Sequence, residues 1–160
     1  MRESDRPLSL RVSILDRVPS QSDSLPEPLA GGPVMQGLNV GSVRLAFSDG
    51  DHRVYVGLAG PGDRLFLWSE NKFGAGGGIG PREILATVGA RVQSGWGDGG
   101  REVVGIVSDE VMAVHVGGTE AVLVNNVFVA VGAFPDDPIV LTTAAGERTV
   151  QRPTLHRGGS

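Results

Sequence analysis

A mainly β fold is what this sequence predicts: an antiparallel β-sandwich or partly closed barrel of about ten short strands with one short helix. Three observations predict it. Between 101 and 150, short apolar-alternating runs are cut by turn residues: 103–107 before Ser108-Asp109-Glu110, 111–116 before Gly117-Gly118, 121–124 before Asn125-Asn126, then 127–131 and 139–143. Glycine, 25 of 160 residues, and proline, 10, punctuate the chain too often for long helices and suit short strands joined by turns. Hydrophobic residues make up 40% and charged residues 20%, an ordinary globular balance that can bury a core.

From the N-terminus, Leu8, Leu10, Val12 and Ile14 alternate with Ser9, Arg11 and Ser13, which reads as a strand, with the start of a helix as the alternative. Ser20 with Asp23 three residues on forms a short capping-box pattern, and Pro26 and Pro28 stop any helix there. Residues 30–37 (AGGPVMQG) read as a loop, so 1–39 is expected to be an N-terminal arm and linker, 40–150 the sandwich domain and 151–160 a flexible tail. Within the domain, Val43, Leu45 and Phe47 alternate with Ser42, Arg44 and Ala46, and Asp49-Gly50 is a hairpin signal. A partner strand over 53–58 and a third over 65–68 extend this into a meander. The glycine run 74–80 reads as a flexible turn. Pro81 opens a helix over 81–89 with Ile84, Leu85 and Val88 on one face and Gly89 at its end. Strand resumes at 90–93, and 94–100 (SGWGDGG) reads as a loop carrying Trp96.

The totals exclude several functions. A net charge of -4 with scattered basic residues argues against nucleic acid as a partner. Without cysteine there is no disulfide, thiolate nucleophile or cysteine metal site. No apolar run reaches the roughly 20 residues of a membrane span, and the charged start, 1–16, lacks a signal-peptide core. Cytoplasmic is therefore the default expectation, with an extracytoplasmic location left open.

The candidate chemistry is sparse. The glycine run misses the dinucleotide fingerprint, since Ile79 or Pro81 stands where the sixth-position glycine belongs, and no Lys-Ser/Thr pair follows Gly80. His52, His115 and His156 have no helical metal-ligand spacing, and Asp49, Asp51 and His52 fall short of a calcium loop. No metal and no cofactor are expected. Ser48, Ser69, Ser94 and Ser108 lack the Gly-x-Ser-x-Gly elbow, although a triad is defined by geometry rather than chain order. The carboxylate pairs Asp109-Glu110 and Asp136-Asp137 fall in turns, where neighbours point apart. Trp68 reads as core; Phe73, beside the glycine run, and Trp96, on its loop, are the candidate ligand-binding residues.

The stretch Val104-Gly105-Ile106-Val107-Ser108-Asp109-Glu110-Val111, followed by Asn125-Asn126-Val127-Phe128 and a strand after Pro138, resembles a family of uncharacterised β-rich actinobacterial proteins. In these a Gly-Leu-Val-Pro-Asp-Gly-Val turn precedes an Asp-Asn-Val-Phe strand. Ser13-Ile14-Leu15-Asp16-Arg17 and Asp23-Ser24-Leu25-Pro26 resemble the segment preceding the family's domain. The resemblance covers about half the chain and implies a mainly-β fold and a bacterial source, but no activity. Ser108 and Glu110 depart from the family's proline and glycine, and its cysteine pair is missing here. Its members' membrane anchor implies an envelope-facing role that this N-terminus does not support.

The expected function is a non-catalytic binding module whose partner is a protein or envelope component, met by loop tips or a sheet edge. One alternative is a hydrolase assembled only in three dimensions from His52, Asp51 and a serine. Another is a structural subunit of a homo-oligomer.

Overall fold

The computed structural model describes residues 7–23, 37–50, 52–97, 100–132 and 136–150, and only the backbone of 96, 97 and 100. The alternating runs become twelve strands among these residues. They are β1 (Leu38–Asp49), β2 (His52–Ala59), β3 (Arg64–Asn71), β4 (Gly74–Pro81), β5 (Arg91–Gly97), β6 (Gly100–Ile106), β7 (Val111–Val116), β8 (Thr119–Glu120), β9 (Val122–Val124), β10 (Val127–Val131), β11 (Ile139–Thr143) and β12 (Gly146–Thr149). They form three four-stranded antiparallel sheets, ordered β1-β2-β3-β4, β5-β6-β10-β9 and β12-β11-β7-β8. The arrangement is sandwich-like, and no sheet closes into a barrel.

Turn chemistry fixes the registers. Asn125 and Asn126 both adopt positive φ, 50° and 69°, in the two-residue loop between the paired residues Val124 and Val127. That is the mirror-image turn whose twist matches a hairpin. Gly117 and Gly118 do the same between Val116 and Thr119. In β1 a bulge at Ala46, between the pairs Leu45–Tyr55 and Phe47–Val54, turns both Ala46 and Phe47 toward the same core.

The second sheet is buried on both faces. Val103, Phe128 and Ala130 pack with Val114, Val116, Ile139 and Leu141 of the third sheet. Val104, Ile106, Val127 and Val129 pack with Val54, Val56, Leu65 and Leu67 of the first. Successive residues of β6 thus serve two cores, as a period of two requires. Phe128 is fully buried, its ring lying over Gly105, where a Cβ would stand 2.4 Å from a ring carbon. A third cluster of Val43, Tyr55, Phe66 and Trp68 occupies the other face of the first sheet.

Four local expectations are corrected. The run 74–80 is not a flexible turn but strand β4, paired with β3 from Asn71–Gly74 to Arg64–Pro81. At Gly77 an added Cβ would meet the Leu67 carbonyl oxygen at 2.0 Å, so the backbone approach itself requires glycine. The helix expected over 81–89 contracts to α1 (Ile84–Thr87), ended by Gly89 at φ 110°. Residues 94–97 extend strand β5, so Trp96 stands in a strand opposite Arg101 rather than on a loop. Residues 8–15 join no sheet; Ser13–Asp16 form a 3-10 turn. This arm is nevertheless pinned. Leu8, Val12 and Ile14 enter the two cores, and Asp109 accepts hydrogen bonds from the Ser13 backbone N–H and hydroxyl. Local alternation cannot tell a strand from an extended arm whose partners lie about 100 residues away.

Candidate functional site

The space between the first two sheets changes character along the strands. On β2 the inward-facing row runs from Val56 and Val54 to His52; on β3, from Leu65 and Leu67 to Ser69 and Asn71; on β6, from Ile106 and Val104 to Glu102. All three turn from aliphatic to polar at the same end, so the hydrocarbon core gives way to a polar pocket. Glu102 is 3% exposed. Its Oε1 accepts from the Ser69 hydroxyl and from Asn71 Nδ2, each at 3.3 Å. Its Oε2 lies 3.3 Å from His52 Nε2, close enough for an ion pair with an imidazolium, yet it has no aligned hydrogen bond. The His52 ring stands edge-on to Phe47, centroids 5.3 Å apart.

Glycine opens this pocket to one side. Gly74, Gly76, Gly78 and Gly80 pair with Asn71, Ser69, Leu67 and Leu65, so every inward-facing position of edge strand β4 lacks a side chain. The volume that side chains would fill is shared between Arg91 and a groove of about 480 Å³. The groove runs between β4 and β5, with Arg91, Gln93 and Gly95 on one wall, Gly74, Gly76 and Gly77 on the other, and Ser69, Asn71 and Glu102 at its polar end. The Arg91 guanidinium lies over β4, 3.6 Å and 2.9 Å from where Cβ atoms of Gly78 and Gly80 would stand. Its buried Nε has no acceptor. Burial pulls the Arg91 pKa below its usual value, but a guanidinium remains cationic at any physiological pH. Gln93 Nε2 donates to the Gly76 carbonyl at 3.1 Å and ties the two edge strands together. A smaller cavity of about 150 Å³ adjoins Glu102 and His52, lined also by Asp49, Lys72 and Val131.

No family model, curated protein or solved structure matches this chain.

Phe73 is 54% exposed and lines both cavities, beside the mouth of the groove. Trp96 lies further along β5 than the groove-lining residues 91, 93, 94 and 95; its side chain is outside the described structure. Of the trio His52, Asp51 and a serine, His52 and Ser69 do approach, at 3.4 Å between Nε2 and Oγ; Asp51 lies outside the described residues. The carboxylate that joins them is Glu102, which sequence reasoning passed over. Its signal was available: a single acid, after Arg101, directly ahead of the apolar-and-glycine run 103–107 in a strand buried on both faces. Ser94 and Gln93 line the groove, whereas Ser108 is buried at the start of the turn before β7. Among the described residues no three His, Asp or Glu side chains converge as metal ligands would. No described helix is long and apolar enough to cross a membrane.

In a hydroxyl–imidazole–acid relay the serine bonds one ring nitrogen and the carboxylate orients the ring through the other. Here both approach Nε2, and the Ser69 proton is directed at Glu102 rather than at the imidazole.

Proposed function

We propose that this protein is a non-catalytic binding module whose site is the groove between β4 and β5. Its partner, a protein or envelope component, presents a small polar group to that groove. One observation carries the reading. A cleft of ligand size, about 480 Å³, ends in a buried carboxylate and is flanked by a buried arginine Nε without an acceptor. Buried polar atoms are normally satisfied, and each orphan costs on the order of 1–3 kcal/mol. A fold keeps such a cost where a ligand repays it. Phe73 at the mouth adds an exposed aromatic surface of the kind that anchors a partner.

A screen of small polar molecules by 15N-resolved NMR tests this. Hits should shift the amides of 74–78 and 93–95, and Gly76→Val, which fills the groove at a position with no neighbour within 4 Å of the new Cβ, should abolish those shifts. Hits that collect elsewhere on the molecule, or that survive Gly76→Val unchanged, would overturn it. The meeting of His52, Ser69 and Glu102 favours a second reading, hydrolysis. Aryl-ester turnover above buffer that is lost in Ser69→Ala and His52→Ala would put that reading first.

A further inference from the structure

Of the buried polar atoms without a hydrogen-bond partner, two of opposite character belong to residues that line the same groove. Arg91 Nε is a donor without an acceptor; Glu102 Oε2 is an acceptor without an aligned donor. We propose, on the basis of the groove reading above, that the occupant is a carboxylate carried on a hydroxylated body, the carboxylate seated on Arg91 and a hydroxyl donating to Glu102.

Three features select this class. A guanidinium fork receives a carboxylate through two parallel hydrogen bonds, and a partly buried cation without a counter-ion gains from such a partner. No described carboxylate forms an ion pair with Arg91, and burial is the sole influence displacing its titration. Glycine at 78 and 80 admits the guanidinium; a side chain at 80 would displace it, its Cβ falling 2.9 Å from a terminal nitrogen. The spacing fits as well. The guanidinium spans Gly80 and Gly78, whose partners are Leu65 and Leu67, while Glu102 bonds Ser69, the partner of Gly76. One to two such two-residue steps along a strand are about 7–14 Å, on the order of one to two sugar rings. The negative charge of Glu102 in the same groove opposes a dianion, which sets a monoanionic carboxylate above a phosphate.

Titration of 15N-labelled protein with glucuronate, glucose and inorganic phosphate tests this, read at the Arg91 Nε–H signal and the amides of 76–78. Glucuronate should shift both sets and bind at least tenfold more tightly than glucose. Arg91→Gln should reduce glucuronate to the level of glucose, and Gly76→Val should abolish it while keeping a dispersed, folded spectrum. Equal binding of glucose and glucuronate, unchanged in Arg91→Gln, overturns the carboxylate assignment and leaves the groove reading standing. Tighter binding of phosphate than of glucuronate overturns the carboxylate in favour of phosphate. Silence with all three probes overturns the assignment, and the groove reading then rests on the wider screen and its Gly76→Val control.

Discussion

The same substitution, glycine to alanine, is expected to have opposite effects at Gly105 and Gly76. At Gly105 the new Cβ would stand 2.4 and 2.5 Å from two Phe128 ring carbons and 2.8 Å from the Arg91 carbonyl oxygen. Phe128 is 0% exposed and the carbonyl belongs to the backbone of the neighbouring strand, so neither can yield without moving other core atoms. Overpacking of this kind costs about 1–3 kcal/mol. Alanine returns about 0.4–1 kcal/mol by restricting the unfolded chain. Taking mid-points, the net loss at Gly105 is about 1.3 kcal/mol, a fall of roughly 3–5 °C in Tm for a chain of this length. At Gly76 nothing lies within 4 Å of the added Cβ and φ is not positive, so only the unfolded-state gain remains. That predicts a rise of up to about 1 kcal/mol. Urea unfolding followed by tryptophan fluorescence reads both variants, and an unchanged m-value confirms that the midpoint reports stability. Loss of stability in Gly76→Ala, or none in Gly105→Ala, would refute the claim that β4 faces an open groove while β6 faces a filled core.

Further outcomes follow from buried and anchoring charges. Burial raises the Asp109 pKa, but hydrogen bonds from the Ser13 side chain, Asn126 and the Ser13 backbone, together with Arg11, outweigh it and hold the group below its ordinary value of 3.8. Its contribution is thus fully present above about pH 4 and is lost as pH falls through the folded-state value. Because the side chain is partly exposed, this amounts to about 1 kcal/mol. Asp109→Asn should flatten that part of the curve of urea midpoint against pH. Asp23, 3% exposed, accepts from the backbone N–H groups of Ser20 and Leu45 and pairs with Arg17. Asp23→Ala should cost about 2 kcal/mol, since it strands those donors, and a urea midpoint equal to wild type would contradict that. Glu102→Gln should keep the fold and the contacts to Ser69 and Asn71 while weakening any ligand that donates to the carboxylate. Unchanged affinity in calorimetry would remove Glu102 from the site. Phe128→Ala should cost about 3–5 kcal/mol, measurable by the same urea titration, with a smaller loss implying that the second core collapses around the gap.

Much of the fold was legible because its signals are local. Asn125-Asn126 and Gly117-Gly118 name their turns, and 111–116 and 127–131 alternate or run apolar as half-buried and doubly buried strands do. The glycine run misled because glycine carries no side chain to show a period of two; β4 exists only because β3 offers it a full ladder of hydrogen bonds. The site was less legible still. Phe73 and the surroundings of Trp96 were chosen as exposed aromatics near glycine, and the first does border the groove. Arg91 and Glu102 gave no comparable sign, because what distinguishes them is a missing partner.

Sequence alone determined the strands with alternating or apolar side chains, the Asn125-Asn126 and Gly117-Gly118 hairpins and the absence of thiol chemistry, since each depends on residues a few positions apart or on composition. Tertiary structure decided that Val54, Leu67 and Val104 give way to His52, Ser69 and Glu102 toward one common end, and that Gly78 and Gly80 lie under Arg91. Strand register and sheet stacking set those meetings, over separations of up to about 50 residues. No property of any single segment encodes which polar ends will share one space.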